Sequence, residues 1–407
     1  MSRPGRQPAA TSEAPGVSPP PPAPPPRLWN RTFALACLVN FTTWLAAYVL
    51  FGTVTLYAVQ LGVPETQVGW FPASASACGL VGQLAGGRLL LRYRRSALLR
   101  LAPFVLGAGA LLALLVPAPP ALLATCALFG IGYGLLQSTT VVLATEVAPP
   151  ARRGQAIGLY GTFTTLAVLI APPTGVALLQ QLGGRAVFTL TLMLTLVTLG
   201  CGLLVREPPR RRLEAAGPAA HLPPLVYFAA LALGGMTATW GTVLAFLPVY
   251  ALTLGLHNPG LYFSVQGLGV LALRMASGGL SDRYGRLQVL VPAMALVTLS
   301  IWGLALHPPV PLLLLLALLY GVGYSAVHPT TMALADDVSP PATRGLALAV
   351  VGGAFSIGVG SGAIAMGYVL ERSSYETTFL VAGCFPLLTT SLLLWRWRAY
   401  SRARAAG

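Results

Sequence analysis

Residues 128–156 read LFGIGYGLLQSTTVVLATEVAPPARRGQA, and residues 319–347 read LYGVGYSAVHPTTMALADDVSPPATRGLA. The second stretch begins 191 residues after the first, with identities at Gly130/Gly321, Tyr133/Tyr324, Thr139/Thr330, Thr140/Thr331, Pro149/Pro340 and Arg153/Arg344. Each copy is a glycine-studded apolar run that closes on an acidic residue, a prolyl pair and an arginine. The same separation sets Gln83 against Arg274 and Leu91 against Asp282. The duplicated unit is therefore longer than one motif, and the chain is a tandem repeat.

Composition says what kind of unit is repeated. Of 407 residues, 25 are basic and 10 acidic, so 9% are charged; an ordinary soluble domain carries roughly 25%. With 55% hydrophobic residues, the chain lacks the polar surface of a water-soluble enzyme. Apolar stretches predict twelve membrane helices, at 32–59, 67–90, 97–117, 120–145, 155–180, 186–205, 223–254, 259–281, 287–306, 310–335, 345–370 and 375–396. Most reach the roughly 20 residues that cross the hydrocarbon. Pro172, Pro173, Pro248 and Pro329 lie inside these runs, where a helix bundle tolerates them.

Every basic residue is arginine, and their placement sets orientation. Alternate connections and both tails hold 22 of them; the other connections hold only Arg185 and Arg372, and Arg274 lies within a helix. Positive charge stays on the cytoplasmic side, so both termini are expected there, which requires an even number of spans. Six spans separate the repeats, so both halves run in the same direction. The expected organisation is a Pro-rich, disordered cytoplasmic tail (1–31), a first six-helix half (32–205), a cytoplasmic linker (206–222), a second half (223–397) and a basic cytoplasmic tail (398–407). No apolar core follows a basic start in the first 30 residues, so a secretory signal is not expected there.

After the eighth span comes Gly278-Gly279-Leu280-Ser281-Asp282-Arg283-Tyr284-Gly285-Arg286. This resembles the cytoplasmic loop signature G-x-x-x-D-R-x-G-R of the major facilitator superfamily, and the resemblance covers residues 32 to 397. It implies two parallel six-helix halves that rock around a central site. It also implies a gate at Gly278, Asp282, Arg283, Gly285 and Arg286, in which Asp282 caps a helix or pairs with an arginine. The matching first-half loop has Leu91 in place of the aspartate and Arg94 in place of the glycine, so a carboxylate latch is not expected there. Glu146 with Arg153, and Asp336 and Asp337 with Arg344, resemble the family's E/D-x-x-P-P-x-x-R-G segment. These pairs are read either as a switch or as solvated ion pairs. Ala171-Pro172-Pro173-Thr174-Gly175 partly resembles the G-P-x-x-G element of proton-coupled exporters, which makes Pro172 and Gly175 hinge candidates.

Binding candidates are polar and aromatic residues of the inner spans: Asn40, Trp44, Tyr48, Gln137, Thr140, Thr237, Trp240, Gln266, Arg274 and Tyr324. Asn40, Trp44 and Tyr48 recur every four residues and share one helix face, which either lines a cavity or packs on a neighbour. All ten carboxylates fall in tails, loops or helix ends, which leaves Arg274 and His328 as the ionisable groups at depth. Arg274 either snorkels to the cytoplasmic face or steers an anionic or zwitterionic solute. His328 is either a packing residue or the proton-coupling site, since histidine changes charge near neutral pH.

The expected function is secondary active transport of a small organic solute, as proton-coupled efflux. Uptake by the same fold and a non-transporting sensor are the alternatives. Nucleic acid is not an expected partner, because the arginines form short clusters between apolar runs. The absence of lysine excludes a G-x-x-x-x-G-K-[ST] nucleotide loop. Five cysteines lie inside apolar runs without metal-ligand spacing, so no metal or cofactor is expected, and the lack of clustered carboxylates, histidines or a nucleophile–base set within one leaflet argues against an enzyme. The lipid bilayer and the solute are the expected partners of a monomer.

Overall fold

The computed structural model describes residues 29–149, 152–205, 221–341 and 343–405, with backbone alone at 153, 275–280, 282 and 403–405. The expected tail at 1–28 and most of the 206–222 linker lie outside the described residues. Twelve α-helices follow one another: α1 (Arg31–Gln60), α2 (Trp70–Arg92), α3 (Arg95–Leu115), α4 (Pro119–Val147), α5 (Arg153–Leu182), α6 (Gly184–Leu204), α7 (Pro224–Thr253), α8 (Gly260–Tyr284), α9 (Arg286–Leu304), α10 (Val310–Val338), α11 (Arg344–Arg372) and α12 (Tyr375–Ala405). A short 3-10 turn, Glu65–Gln67, precedes α2. Helix ends obey local chemistry. Asn30 caps α1 by accepting the Phe33 amide at 2.8 Å, prolines open α4, α7 and α10, and Gly183 and Gly285 carry the positive φ between successive helices.

Ten of these helices are long and apolar enough to cross a membrane, counting described residues only; α2 and α8 are not among them. The reason is compositional. Helix α2 carries Gln83, Arg88 and Arg92, and α8 carries Gln266, Arg274 and Arg283, amid glycine and serine. Both run along the seam between the halves rather than facing lipid alone. Helix α12 continues to Ala405, past the expected end at 396, through a stretch rich in the good helix former arginine.

The packing is duplicated like the sequence. Within the first half α1 meets α5, α2 meets α4 and α3 meets α6; within the second α7 meets α11, α8 meets α10 and α9 meets α12. The glycine runs make this possible. A Cβ on Gly130 would meet the Ala75 carbonyl, and one on Gly321, its repeat mate, the Gln266 carbonyl. Small residues let these helices touch backbone to backbone, as membrane bundles require. Large apolar side chains such as Phe104, Met193, Leu299 and Leu388 point outward on α3, α6, α9 and α12. That inverted surface suits lipid and not water.

Candidate functional site

The halves touch mainly through α5 on α8 and α2 on α11. Between them lies a partly open cavity of about 90 Å³. Trp44, Tyr48 and Phe51 of α1, Ser76 and Gln83 of α2, Tyr133 of α4, Trp240 of α7, and Phe355 of α11 form its walls. Trp44 stacks on Tyr48 (centroids 5.3 Å) and receives Tyr133 edge-on at 4.9 Å. On the other side Trp240 packs against Tyr324 at 5.7 Å and Tyr320 at 6.2 Å. Each half thus supplies one tryptophan braced by tyrosines.

Of the sequence-based candidates, Trp44, Tyr48 and Trp240 line this cavity, and Tyr324 stands directly behind Trp240. Asn40 instead ties α1 to α5, donating to the Tyr160 carbonyl at 3.1 Å and the Thr164 hydroxyl at 2.9 Å. Thr140 shares a 2.7 Å hydrogen bond with Tyr160 inside the first half. Thr237 donates its hydroxyl to the Gly234 carbonyl of its own helix, and Gln266 is buried on α8. Gln137 is half-buried on α4. Sequence reading passed over Phe51, Ser76, Gln83, Tyr133 and Phe355 as wall residues. Two of these carried a signal: Tyr133 is the repeat mate of Tyr324, and Gln83 that of Arg274.

Arg274 crosses the seam. Its guanidinium lies over Gly161 of α5, where any Cβ would collide with it, and Nη1 donates to the Thr165 hydroxyl at 3.0 Å. Helix α8, which carries it, packs along α10, the helix of Tyr324 and His328. His328 in turn meets the cavity wall, edge-on to Phe355 at 5.9 Å. The side chain therefore reaches the other half rather than snorkelling along α8.

Toward the face opposite the termini the seam is shut. Gly260 at the start of α8 presses on the backbone of Pro172 and Pro173, and Asn258 donates to the Pro173 carbonyl at 3.0 Å. Gly69, the repeat mate of Gly260, presses in the same way on the Ala363 carbonyl of α11. Gln180 reaches the His257 carbonyl at 2.6 Å, and Tyr375 donates to the Glu65 carboxylate. The hinge candidates sit here: Pro172 lies against Gly52, and Gly175 lets α5 approach Val49 of α1. Toward the termini the helices part. A Cβ on Gly367 would stand 2.5 Å from the Thr66 carbonyl, on Gly360 3.6 Å from the Ala73 carbonyl, and on Gly353 3.8 Å from the Leu80 side chain. Along α2 and α11 the gap thus grows toward the termini, while Arg274 still bridges α8 and α5.

At the terminal face the described ion pairs each stay inside one half. Arg286 binds Asp337 at 2.8 Å and the Ser281 hydroxyl at 3.0 Å, while Arg344 meets Asp336 at 3.5 Å. Arg95 binds Glu146 at 2.6 Å. Arg95 and Glu146 are the repeat mates of Arg286 and Asp337, so the first half keeps this clamp although Leu91 stands where Asp282 would be. Arg95 was not singled out by sequence; the 191-residue offset was the available signal. Arg283 lies near the Tyr284 ring, 5.5 Å from its centroid, and Gly285 makes the left-handed turn into α9. The side chains of Asp282 and Arg153, and the surroundings of Gly278, lie outside the described residues. Among the described residues no cluster of three potential metal ligands occurs.

The sequence profile of the Major Facilitator Superfamily matches residues 36–273 and 257–406. The chain belongs to the Major Facilitator Superfamily. Over 147 residues, 36% of this chain and 36% of the relative, it is 33% identical to the 3-(3-hydroxy-phenyl)propionate transporter of Escherichia coli K12. Over 163 residues, 39% of this chain and 41% of the relative, it is 28% identical to the multi-drug resistance efflux pump PmrA of Streptococcus pneumoniae. These matches span about two fifths of each relative's length. The facilitator fold extends further: a POT family transporter solved in complex with 5-aminolevulinic acid superposes with a TM-score of 0.77 over 89% of this chain and 95% of that one, at 13% identity. Relatives and fold are those of multi-pass membrane transporters, not of enzymes.

Proposed function

We propose that this facilitator is a secondary carrier that moves a small organic solute across the plasma membrane by alternating access, with both termini in the cytoplasm. The observation that supports this reading best is the aromatic cavity shared by the two halves. A carrier needs a site built by both halves, so that rocking one against the other transfers its exposure. On the arginine asymmetry the face toward which α2 and α11 part is cytoplasmic, as in an inward-facing state.

We assign the direction as outward and the driving ion as the proton. The Pro172–Gly175 element and the similarity to an efflux pump support export; uptake by the same cavity is the second reading, supported by the similarity to a transporter of an aromatic acid. His328 is the coupling candidate, flanked by Arg274 of α8 and Tyr324 of its own helix.

Two measurements test this reading. Cysteines placed at residues 65 and 212 should label from opposite sides of the membrane; labelling from the same side overturns the topology. In proteoliposomes, saturable counterflow is expected for at least one member of a broad solute library. Its absence for every member would favour a non-transporting sensor. Accumulation against or along an imposed pH gradient then gives direction.

A further inference from the structure

We infer that the solute is an aromatic or bulky apolar molecule bearing one carboxylate, and that Arg274 receives that carboxylate; the inference rests on the carrier reading of the same site. The first observation is the wall chemistry. Trp44, Tyr48, Phe51, Tyr133, Trp240 and Phe355 offer flat apolar faces, and the cavity lining includes no charged residue. Such a surface holds a ring or a compact hydrocarbon by area and edge-to-face contact.

The second observation is the distribution of charge at depth. All ten carboxylates of the chain lie in tails, loops or helix ends, so a cationic solute would meet no counter-charge among these walls. One cation does lie at depth behind the walls: Arg274 is on α8, which packs along α10, and Tyr324 and His328 of α10 touch the wall residues Trp240 and Phe355 respectively. It lies ten residues, about 15 Å of helix, before the end of α8 at Tyr284, on the widening side of the seam. A guanidinium presents paired donors that match a planar carboxylate, and near low-dielectric walls such a pair is strong.

The third observation is the seat itself. Gly161 leaves room for the guanidinium over α5, and Thr165 accepts from Nη1 with a neutral hydroxyl. A carboxylate bound there spans α8 and α5, one helix from each half, while its apolar body rests between Trp44 and Trp240. Gln83, the repeat mate of Arg274, offers only a neutral amide on the opposite wall, so the solute enters in one orientation.

The test uses the full-length purified protein and three matched probes: 4-phenylbutyrate, 4-phenylbutanamide and 4-phenylbutylamine. Binding is read by calorimetry and by quenching of tryptophan fluorescence. The acid should bind at least tenfold more tightly than the amide or the amine. Arg274→Gln should weaken the acid at least tenfold and leave the amide unchanged, Arg274→Lys should restore part of the loss, and Thr165→Val should preserve the acid preference. Should Arg274→Gln fail to fold, the wild-type acid-to-amide ratio and Thr165→Val decide. Amide or amine bound as tightly as the acid, or no saturable acid binding at millimolar concentration, overturns the proposal. Counterflow separates this from the carrier reading. Exchange of neutral or cationic solutes without acid preference removes the substrate class and keeps the carrier; selective acid binding with no exchange of any solute removes the carrier and keeps the site.

Discussion

Leu169 in α5 shows how one backbone group couples the halves. Its carbonyl would accept from residue 173 in an α-helix or from residue 172 in a 3-10 turn, and both are prolines without an N–H. Ser264 of α8 supplies the missing donor from the other half at 2.5 Å. An abandoned buried carbonyl costs about 1–3 kcal/mol, so this bond favours the state sealed opposite the termini. Ser264→Ala should therefore raise cysteine labelling of cavity positions from the opposite face and lower the melting temperature, while Ser264→Thr should do neither. Unchanged labelling and melting would show that the serine is idle. The missing backbone donors were legible from Pro172 and Pro173, but the substitute donor was not, because Ser264 is 95 residues away and only packing brings it near. His328 is the other residue to test at this scale. His328→Ala should abolish flux driven by a pH gradient and leave solute exchange intact; a variant with the wild-type pH dependence would exclude histidine coupling.

At the level of helices, duplication explains most of what was readable and most of what was missed. The twelve helices were legible because most are long apolar runs bounded by arginine or proline, ten of them long and apolar enough to cross a membrane among the described residues. Helices α2 and α8 stand out as the two without a long enough apolar window among the described residues, and each packs on the other half, α2 on α11 and α8 on α5. The first-half loop read as a lost gate because Leu91 replaces the aspartate. Yet α3 and α4 keep Arg95 on Glu146, whose mates Arg286 and Asp337 join α9 to α10. Burial separates the two copies: the first pair is 5% and 17% exposed, the second 22% and 49%. Removing one partner of a buried pair strands its charge, at about 3 kcal/mol, whereas an exposed pair is worth at most about 1 kcal/mol. Glu146→Gln should therefore destabilise the purified protein well beyond Asp337→Asn in denaturant unfolding. Equal effects would mean that solvent reaches both pairs alike.

For the molecule as a whole, the contacts that seal one face and the parting of the helices at the other describe a single rocking coordinate. The seal is symmetric in the repeat: Gly69 on α11 and Gly260 on α5, with Tyr375 on Glu65 and Asn258 on Pro173 beside them. Holding that seal shut should stop the cycle without harming the site. This can be tested with cysteines at Glu65 and Tyr375, on a background lacking Cys78 and Cys384, the less buried of the five native thiols. A short flexible crosslinker between the two positions should abolish solute exchange in proteoliposomes. Binding measured in detergent, where the terminal face is accessible, should persist with its affinity within about twofold. Reduction of a cleavable linker should restore exchange. If the linked protein still exchanged solute at the native rate, the halves would not need to separate at this face, and the path through the molecule would have to run elsewhere than between α2 and α11 or α5 and α8.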